Sequence, residues 1–189
     1  RGALMPRAGL DADAVVGAAA ALADEDGLGR LTLARLAAAL GIRTPSLYTH
    51  VDGLADLRAR LGARGAREIA VALQAAAAGR AGADALRAVA GAYRGYAHAH
   101  PGTYAAMQVA SGREDNQTAA AAAVGVFLAV LDGYGLTGDV AIHAVRAVRS
   151  ALHGFVALER EGGFGIALSV DESFARLVQM LDAGLQRGE

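Results

Sequence analysis

The chain has 189 residues, 54% of them hydrophobic, and its 18 basic and 19 acidic side chains leave a formal net charge of −1. The absence of cysteine excludes disulfides, thiolate metal sites and cysteine nucleophiles. No apolar stretch reaches the roughly 18–20 residues of a membrane span and no signal-peptide pattern opens the chain, so a cytoplasmic location without a membrane partner is expected.

Much of the apolar content is alanine, in runs at Ala18–Ala21, Ala75–Ala78 and Ala119–Ala123. Alanine favours helix and buries little area, which predicts an all-α fold of closely packed helices, and the elements taken in order below number about nine. Residues 1–9 read as an N-terminal arm, with Met5 the expected natural start. Asp11 is a plausible cap for a first helix over Ala12–Asp26, with Val15, Ala18, Ala19 and Leu22 as its apolar stripe and Gly27 at its end. Thr32 caps a second helix carrying Leu33, Leu36, Ala37 and Leu40, which stops at Gly41. Thr44 and Pro45 read as the cap and first residue of a short third helix extending to about His50.

Asp52 then caps a long helix through Leu57, Leu61, Ile69 and Leu73, expected to connect two domains, with the boundary at Gly79–Gly82. Beyond it, Leu86, Val89, Tyr93 and Tyr96 recur at helical spacing, and Pro101 starts a short helix bearing Tyr104 and Met107. Gly112–Asn116 reads as a polar break before a helix with Val124, Phe127, Leu128 and Leu131. Thr137 opens a long helix with Val145, Val148, Leu152 and Phe155 in register, and Gly162–Gly165 is a turn. Ser169 and Glu172 match a capping box before Phe174, Leu177, Val178, Leu181 and Leu185. The expected organisation is an arm (1–9), a helix-turn-helix domain (10–51), a connector helix (52–79) and a C-terminal ligand-binding and dimerisation domain (80–189).

Two short helices joined by Gly41–Arg43 make a helix-turn-helix. With Leu47 turned inward, the third helix presents Thr44, Ser46, Tyr48, Thr49 and His50 outward, flanked by Arg43. Hydroxyls, a phenol and an imidazole suit phosphates and base edges. Thr32, Thr44, Tyr48, His50 and the amides around Pro45 are expected to hold phosphates, and Arg43, Ser46 and Thr49 to reach base edges. Arg1 and Arg7 are candidates for an adjacent minor groove. The segment Arg30–Arg64 holds six arginines against Asp52 and Asp56, so basic charge gathers where the motif lies.

The stretch Leu31-Thr32-Leu33-Ala34-Arg35-Leu36-Ala37-Ala38-Ala39-Leu40-Gly41-Ile42, followed by Pro45-Ser46-Leu47-Tyr48-Thr49-His50-Val51, resembles the DNA-binding domain of the TetR family of repressors. Gly27 and Leu54–Leu57 fit the same pattern. His98–Met107 and Ala151–Phe164 are similar to the subgroup with a WHG-type C-terminal domain. The resemblance implies an Ω-shaped homodimer whose third helices enter successive major grooves of a near-palindromic double-stranded operator. It also implies a small-molecule effector that moves the connector and releases DNA. Leu54 departs from the family's usual Lys, which puts one phosphate contact in doubt and leaves Arg58 or the helix amides as substitutes.

A two-fold reader needs a dimer interface. The helices expected over Thr137–Arg160 and Asp171–Arg187 are the longest amphipathic pair in the C-terminal half, and Leu152, Gly154, Phe155, Phe174, Leu177, Val178, Leu181, Gly184 and Leu185 are its candidate residues. Tyr93, Tyr96, Tyr104, Met107, Phe127 and Leu131 are candidates for the wall of an apolar or aromatic ligand site. His143, Arg146, Ser150 and His153 fall on one arc and could be its polar anchors, an interface or a solvated row. No cofactor is expected, and no metal site, because His98 and His100 point to different sides of a helix. No phosphate loop or catalytic spacing recommends an enzyme. A helical ligand-binding or interaction protein that no longer binds DNA is the alternative, separable by the steep salt dependence a DNA binder shows.

Overall fold

A computed structural model describes residues 10–109 and 114–188, so the expected N-terminal arm, Arg1 and Arg7 lie outside the described residues. Among the described residues the regular structure is nine α-helices and one 3-10 turn, with no strand. They are α1 (Ala12–Asp26), α2 (Leu33–Leu40), α3 (Thr44–Leu47), α4 (Leu54–Ala77), α5 (Gly82–Ala99), α6 (Pro101–Val109), α7 (Glu114–Asp132), α8 (Gly138–Arg160) and α9 (Val170–Gln186). The 3-10 turn is Leu28–Arg30. None of these helices is long and apolar enough to cross a membrane.

The helix starts follow from short polar side chains that satisfy orphan amides. Asp11 accepts from the Ala14 amide at 2.7 Å, Thr32 from Arg35 at 3.2 Å and Ser169 from Glu172 at 3.2 Å. Gly41 closes α2 in the left-handed region at φ 67°, where its amide reaches the Ala37 and Ala38 carbonyls. Two boundaries differ from expectation. The third helix ends at Leu47, and its capping position is Arg43, so Thr44 is already helical. Residues 48–50 continue as a turn, in which the Val51 and His50 amides both close on Leu47. Glu114–Asn116, read as part of a break, already belong to α7.

The helices group into two compact units. The first takes the described residues through Gly65 and, far along the chain, His100–Asn116; the second takes Ala66–Ala99 and Gln117 onward. The division therefore falls inside α4 and inside α7, while residues 79–82 are a turn between α4 and α5.

In the first unit Val15, Ala19, Ala23, Leu31, Leu36, Leu47, Val51, Leu57 and Leu61 form one core, and Ala106 of α6 joins it. Helices α1 and α6 approach so closely that a Cβ at Gly102 would run into the Ala23 carbonyl. Asp24 then fastens the start of α6. Its carboxylate accepts from the Thr103 amide at 2.7 Å and the Thr103 hydroxyl at 3.2 Å, and lies 3.1 Å from His100 Nδ1. This caps α6 from another helix.

The second unit's buried residues include Ile69 and Leu73 of α4, Leu86 and Val89 of α5, Val145, Val148, Leu152 and Val156 of α8, and Phe174, Val178 and Leu185 of α9. A polar clasp joins three of its helices. Arg94 of α5 grips Glu159 of α8 with two guanidinium nitrogens, Nε at 2.9 Å, and donates to Asp171 of α9 at 2.7 Å. His98 Nε2 stands 2.7 Å from the same Glu159 carboxylate. The Arg94 guanidinium also lies 4.9 Å from the Phe174 ring centroid, and Phe155 packs between Phe164 and Phe174. Elsewhere Tyr134 donates to Asp182 at 2.6 Å, and burial followed by that carboxylate pushes the phenol's pKa well up.

Candidate nucleic-acid interface

The short α3 is held from beneath. Leu47 and Val51 are buried in the core of the first unit, so the backbone between them is fixed while neighbouring side chains point away. Arg43, Pro45, Ser46, Tyr48 and Thr49 are exposed, Tyr48 to 58%. Thr44 and His50 are half-buried and offer less of their surface. Thr32 is exposed at the start of α2. The structure thus brings all eight sequence-predicted residues onto α2, α3 and the turn after it.

Hydrogen bonding separates what these groups can still do. Thr32 accepts from Arg35, which leaves its own proton for an acceptor outside the protein. Thr49 donates to the Ser46 carbonyl at 2.7 Å, so its hydroxyl is left with acceptor capacity and a methyl group. Pro45 has no amide proton and the Ser46 amide donates to the Arg43 carbonyl at 2.9 Å. Of the first three amides of α3, only that of Thr44 is left for a ligand.

Arg58, considered as a substitute for a cation at Leu54, is engaged elsewhere. Its Nη2 donates to the Leu28 carbonyl at 3.4 Å, and its Nε is buried without a partner. Arg35 pairs with Asp26, and Arg60 Nε donates to Asp56 at 2.8 Å. At the start of α4 the Asp56 carboxylate accepts from the Asp52 amide at 3.1 Å.

The other candidates divide between the units. Tyr93, Tyr96, Phe127 and Leu131 are buried residues of the second unit, whereas Tyr104, buried, and Met107, half-buried, belong to the first. Tyr96 donates to Glu68 at 3.0 Å, a carboxylate that the periodicity of the apolar residues had not singled out. His143, Arg146 and Ser150 are exposed and His153 half-buried, on the face of α8 opposite Ala141, Val145, Val148 and Leu152. Exposure on that face turns His143, Arg146 and Ser150 toward solvent, whereas Tyr93, Tyr96, Phe127 and Leu131 are buried.

Among the residues expected at a dimer interface, Leu152, Phe174, Val178 and Leu185 are buried within the chain itself, because the apolar stripe of each helix faces its own unit. Gly154, Phe155, Leu177, Leu181 and Gly184 keep partial exposure. Leu158 and Met180 are exposed to 49% and 66%. Among the described residues no three His, Asp or Glu side chains converge as metal ligands would.

Known proteins resemble the chain along most of its length. Residues 86–181 match the family described as the tetracyclin repressor-like, C-terminal domain. The uncharacterised HTH-type transcriptional regulator Rv0681 of Mycobacterium tuberculosis is 42% identical over 94% of this chain and 83% of its own. YobS of Bacillus subtilis, also an uncharacterised HTH-type transcriptional regulator, is 33% identical over 96% of both chains. Among solved structures, a variant of TetR from Acinetobacter baumannii in complex with minocycline superposes with a TM-score of 0.73 at 23% identity, covering 95% of this chain and 98% of that one.

Proposed function

This chain belongs to the TetR family of helix-turn-helix transcriptional regulators, DNA-binding proteins rather than enzymes, and on that premise we propose that it is a homodimeric repressor released from its operator by a small apolar or aromatic ligand. In this reading residues 10–51 read DNA, 52–79 relay, and 80–189 sense the effector and dimerise. The observation that carries it is the exposed, polar, mostly unpartnered surface of Thr44–Thr49 above a buried Leu47. Ser46 has a side-chain donor for a base edge, Thr49 offers an acceptor and a methyl, Thr32 and Tyr48 offer hydroxyls to phosphates, and Arg43 brings an exposed guanidinium to the same surface.

A duplex selected by the protein from a random pool tests this. Ser46→Ala should cost about 1 kcal/mol of binding at one base position, and Tyr48→Phe about 1 kcal/mol on every sequence. Selection that enriches no duplex overturns the reading.

For the dimer, the partly exposed faces of α8 and α9 support a two-fold pairing around Gly154, Leu158, Leu177, Met180, Leu181 and Gly184. Met180→Asp together with Leu158→Asp should then give monomers by light scattering and lower operator affinity. For the effector, support comes from the buried Tyr93, Tyr96, Phe127 and Leu131 and from the minocycline complex of the Acinetobacter protein. In this reading a compound that raises Tm also weakens operator binding, and operator DNA weakens binding of the compound by the same factor. Stabilising compounds that leave operator binding unaltered refute release by ligand.

A further inference from the structure

Six arginines lie among the described residues of the first unit, and they fall into two sets. Four are held within the unit. Arg35 and Arg60 are paired with Asp26 and Asp56, and Arg58 is bonded to the Leu28 carbonyl with its Nε buried. Arg64 lies against α1, where a Cβ at Gly17 would stand 3.3 Å from its guanidinium. Arg30 and Arg43 differ. Both side chains are exposed, and neither makes an ion pair or side-chain hydrogen bond among the described residues. Arg30 ends the 3-10 turn two residues before Thr32, the cap of α2, and Arg43 is the capping residue of α3. Each untied guanidinium therefore stands at the approach to one helix of the helix-turn-helix.

We infer that Arg30 and Arg43 carry the electrostatic part of DNA binding in this unit, and that Arg35, Arg58 and Arg60 are framework residues. This rests on the DNA-binding reading above. A guanidinium already neutralised by a carboxylate must break that pair to reach a phosphate, and would leave the acid facing the duplex. Arg58 would have to abandon the Leu28 carbonyl. The untied pair pays no such cost, and each of its members that meets the duplex releases counterions. Each position counts twice in a dimer, so each contributes about 1.8 to the slope of log affinity against log salt, or about a 12-fold loss between 50 and 200 mM salt.

The test is that slope, measured between 50 and 200 mM NaCl on a duplex selected by the wild-type protein. Compared with wild type, Arg30→Gln and Arg43→Gln should each flatten it by about 1.8 and the double variant by about 3.6. Arg35→Gln, Arg58→Gln and Arg60→Gln should change it by less than about 0.5 even where they lower Tm. Whatever residues outside the described ones add is common to every variant and cancels in the differences. Should Arg58→Gln fail to fold, Arg35→Gln and Arg60→Gln carry the comparison, since both side chains are more than a third exposed. Flattening by Arg35→Gln or Arg60→Gln equal to that by Arg43→Gln overturns the inference, as does an unchanged slope in Arg30→Gln or Arg43→Gln. Failure of the underlying DNA reading looks different: no duplex is selected, and both readings fall.

Discussion

The segment Thr44–His50 and the clasp around Arg94 are both small polar constellations on helices, yet their hydrogen bonding is opposite. In the clasp, Arg94 donates to both Glu159 and Asp171, His98 shares Glu159, and aromatic rings flank the guanidinium. Among the described residues, the Thr49 hydroxyl is the one side chain of the α3 segment with a hydrogen-bond partner, and Arg43, Ser46 and Tyr48 are exposed. Polar groups saturated by their own chain hold the fold; polar groups left open on a rigid base are reserved for something that arrives. The contrast matters because composition alone would rank the clasp, with its four charged or titratable groups, as the more functional of the two.

The largest effect expected from this contrast is in the clasp. Arg94→Ala leaves Glu159, only 14% exposed, without its guanidinium and with His98 beside it, and should destabilise the fold by about 3 kcal/mol in urea denaturation. Arg176→Ala, whose pair with Glu172 is exposed on both sides, should cost no more than about 0.5 kcal/mol. Equal losses would erase the distinction between a clasp and a surface pair. Next is Asp24→Ala, which removes the cap of α6 and should cost about 2 kcal/mol, with Asp24→Asn recovering about half because an amide oxygen can still accept from Thr103.

Acid sharpens the comparison further. The hydrogen bonds from Arg94 hold the Glu159 carboxyl down to about 2 from 4.5, against the opposing effect of burial and with lesser help from His98. The folded protein therefore resists protonation there. The stability this contributes is intact above about pH 4.5 and is lost as pH falls toward about 2. Glu159→Gln should start lower and show a flatter acid limb over that window; an identical limb would remove Glu159 from the clasp's energetics. The smallest effect is at α3: Ser46→Ala and Tyr48→Phe should leave stability within about 0.5 kcal/mol while weakening DNA binding. A marked fall in Tm would mean that these side chains support the fold after all.

What the sequence revealed was what neighbouring residues decide. Asp11 with Gly27, Thr32 with Gly41, and Ser169 each set a helix end through bonds spanning three or four residues, and all were readable. So were Ser46, Tyr48 and Thr49 of the outward set on α3, because a buried Leu47 fixes which way its neighbours point, while Thr44 and His50 are half-buried. The end of α3 was not, since the turn at 48–50 is closed by backbone bonds onto Leu47 that carry no side-chain signal. Long-range choices were hidden as well. Arg94 meets Glu159 and Asp171 across 65 and 77 residues, and only the four-residue spacing of Arg94 and His98 hinted at a shared target. Likewise an apolar stripe on α8 or α9 does not say whether it faces its own chain or another, which is why Leu152, Phe174, Val178 and Leu185 read as interface residues and are buried within the chain.

The return of α6 to the N-terminal unit has a practical side for anyone who would exchange operator specificities between relatives. A graft of the first 65 residues alone would part Ala23 from Gly102 and Asp24 from Thr103, and would leave the socket of Ala106 open. The transplantable pieces are therefore either the surface residues of α2 and α3, changed in place, or a two-part cassette in which residues 100–116 travel with the headpiece.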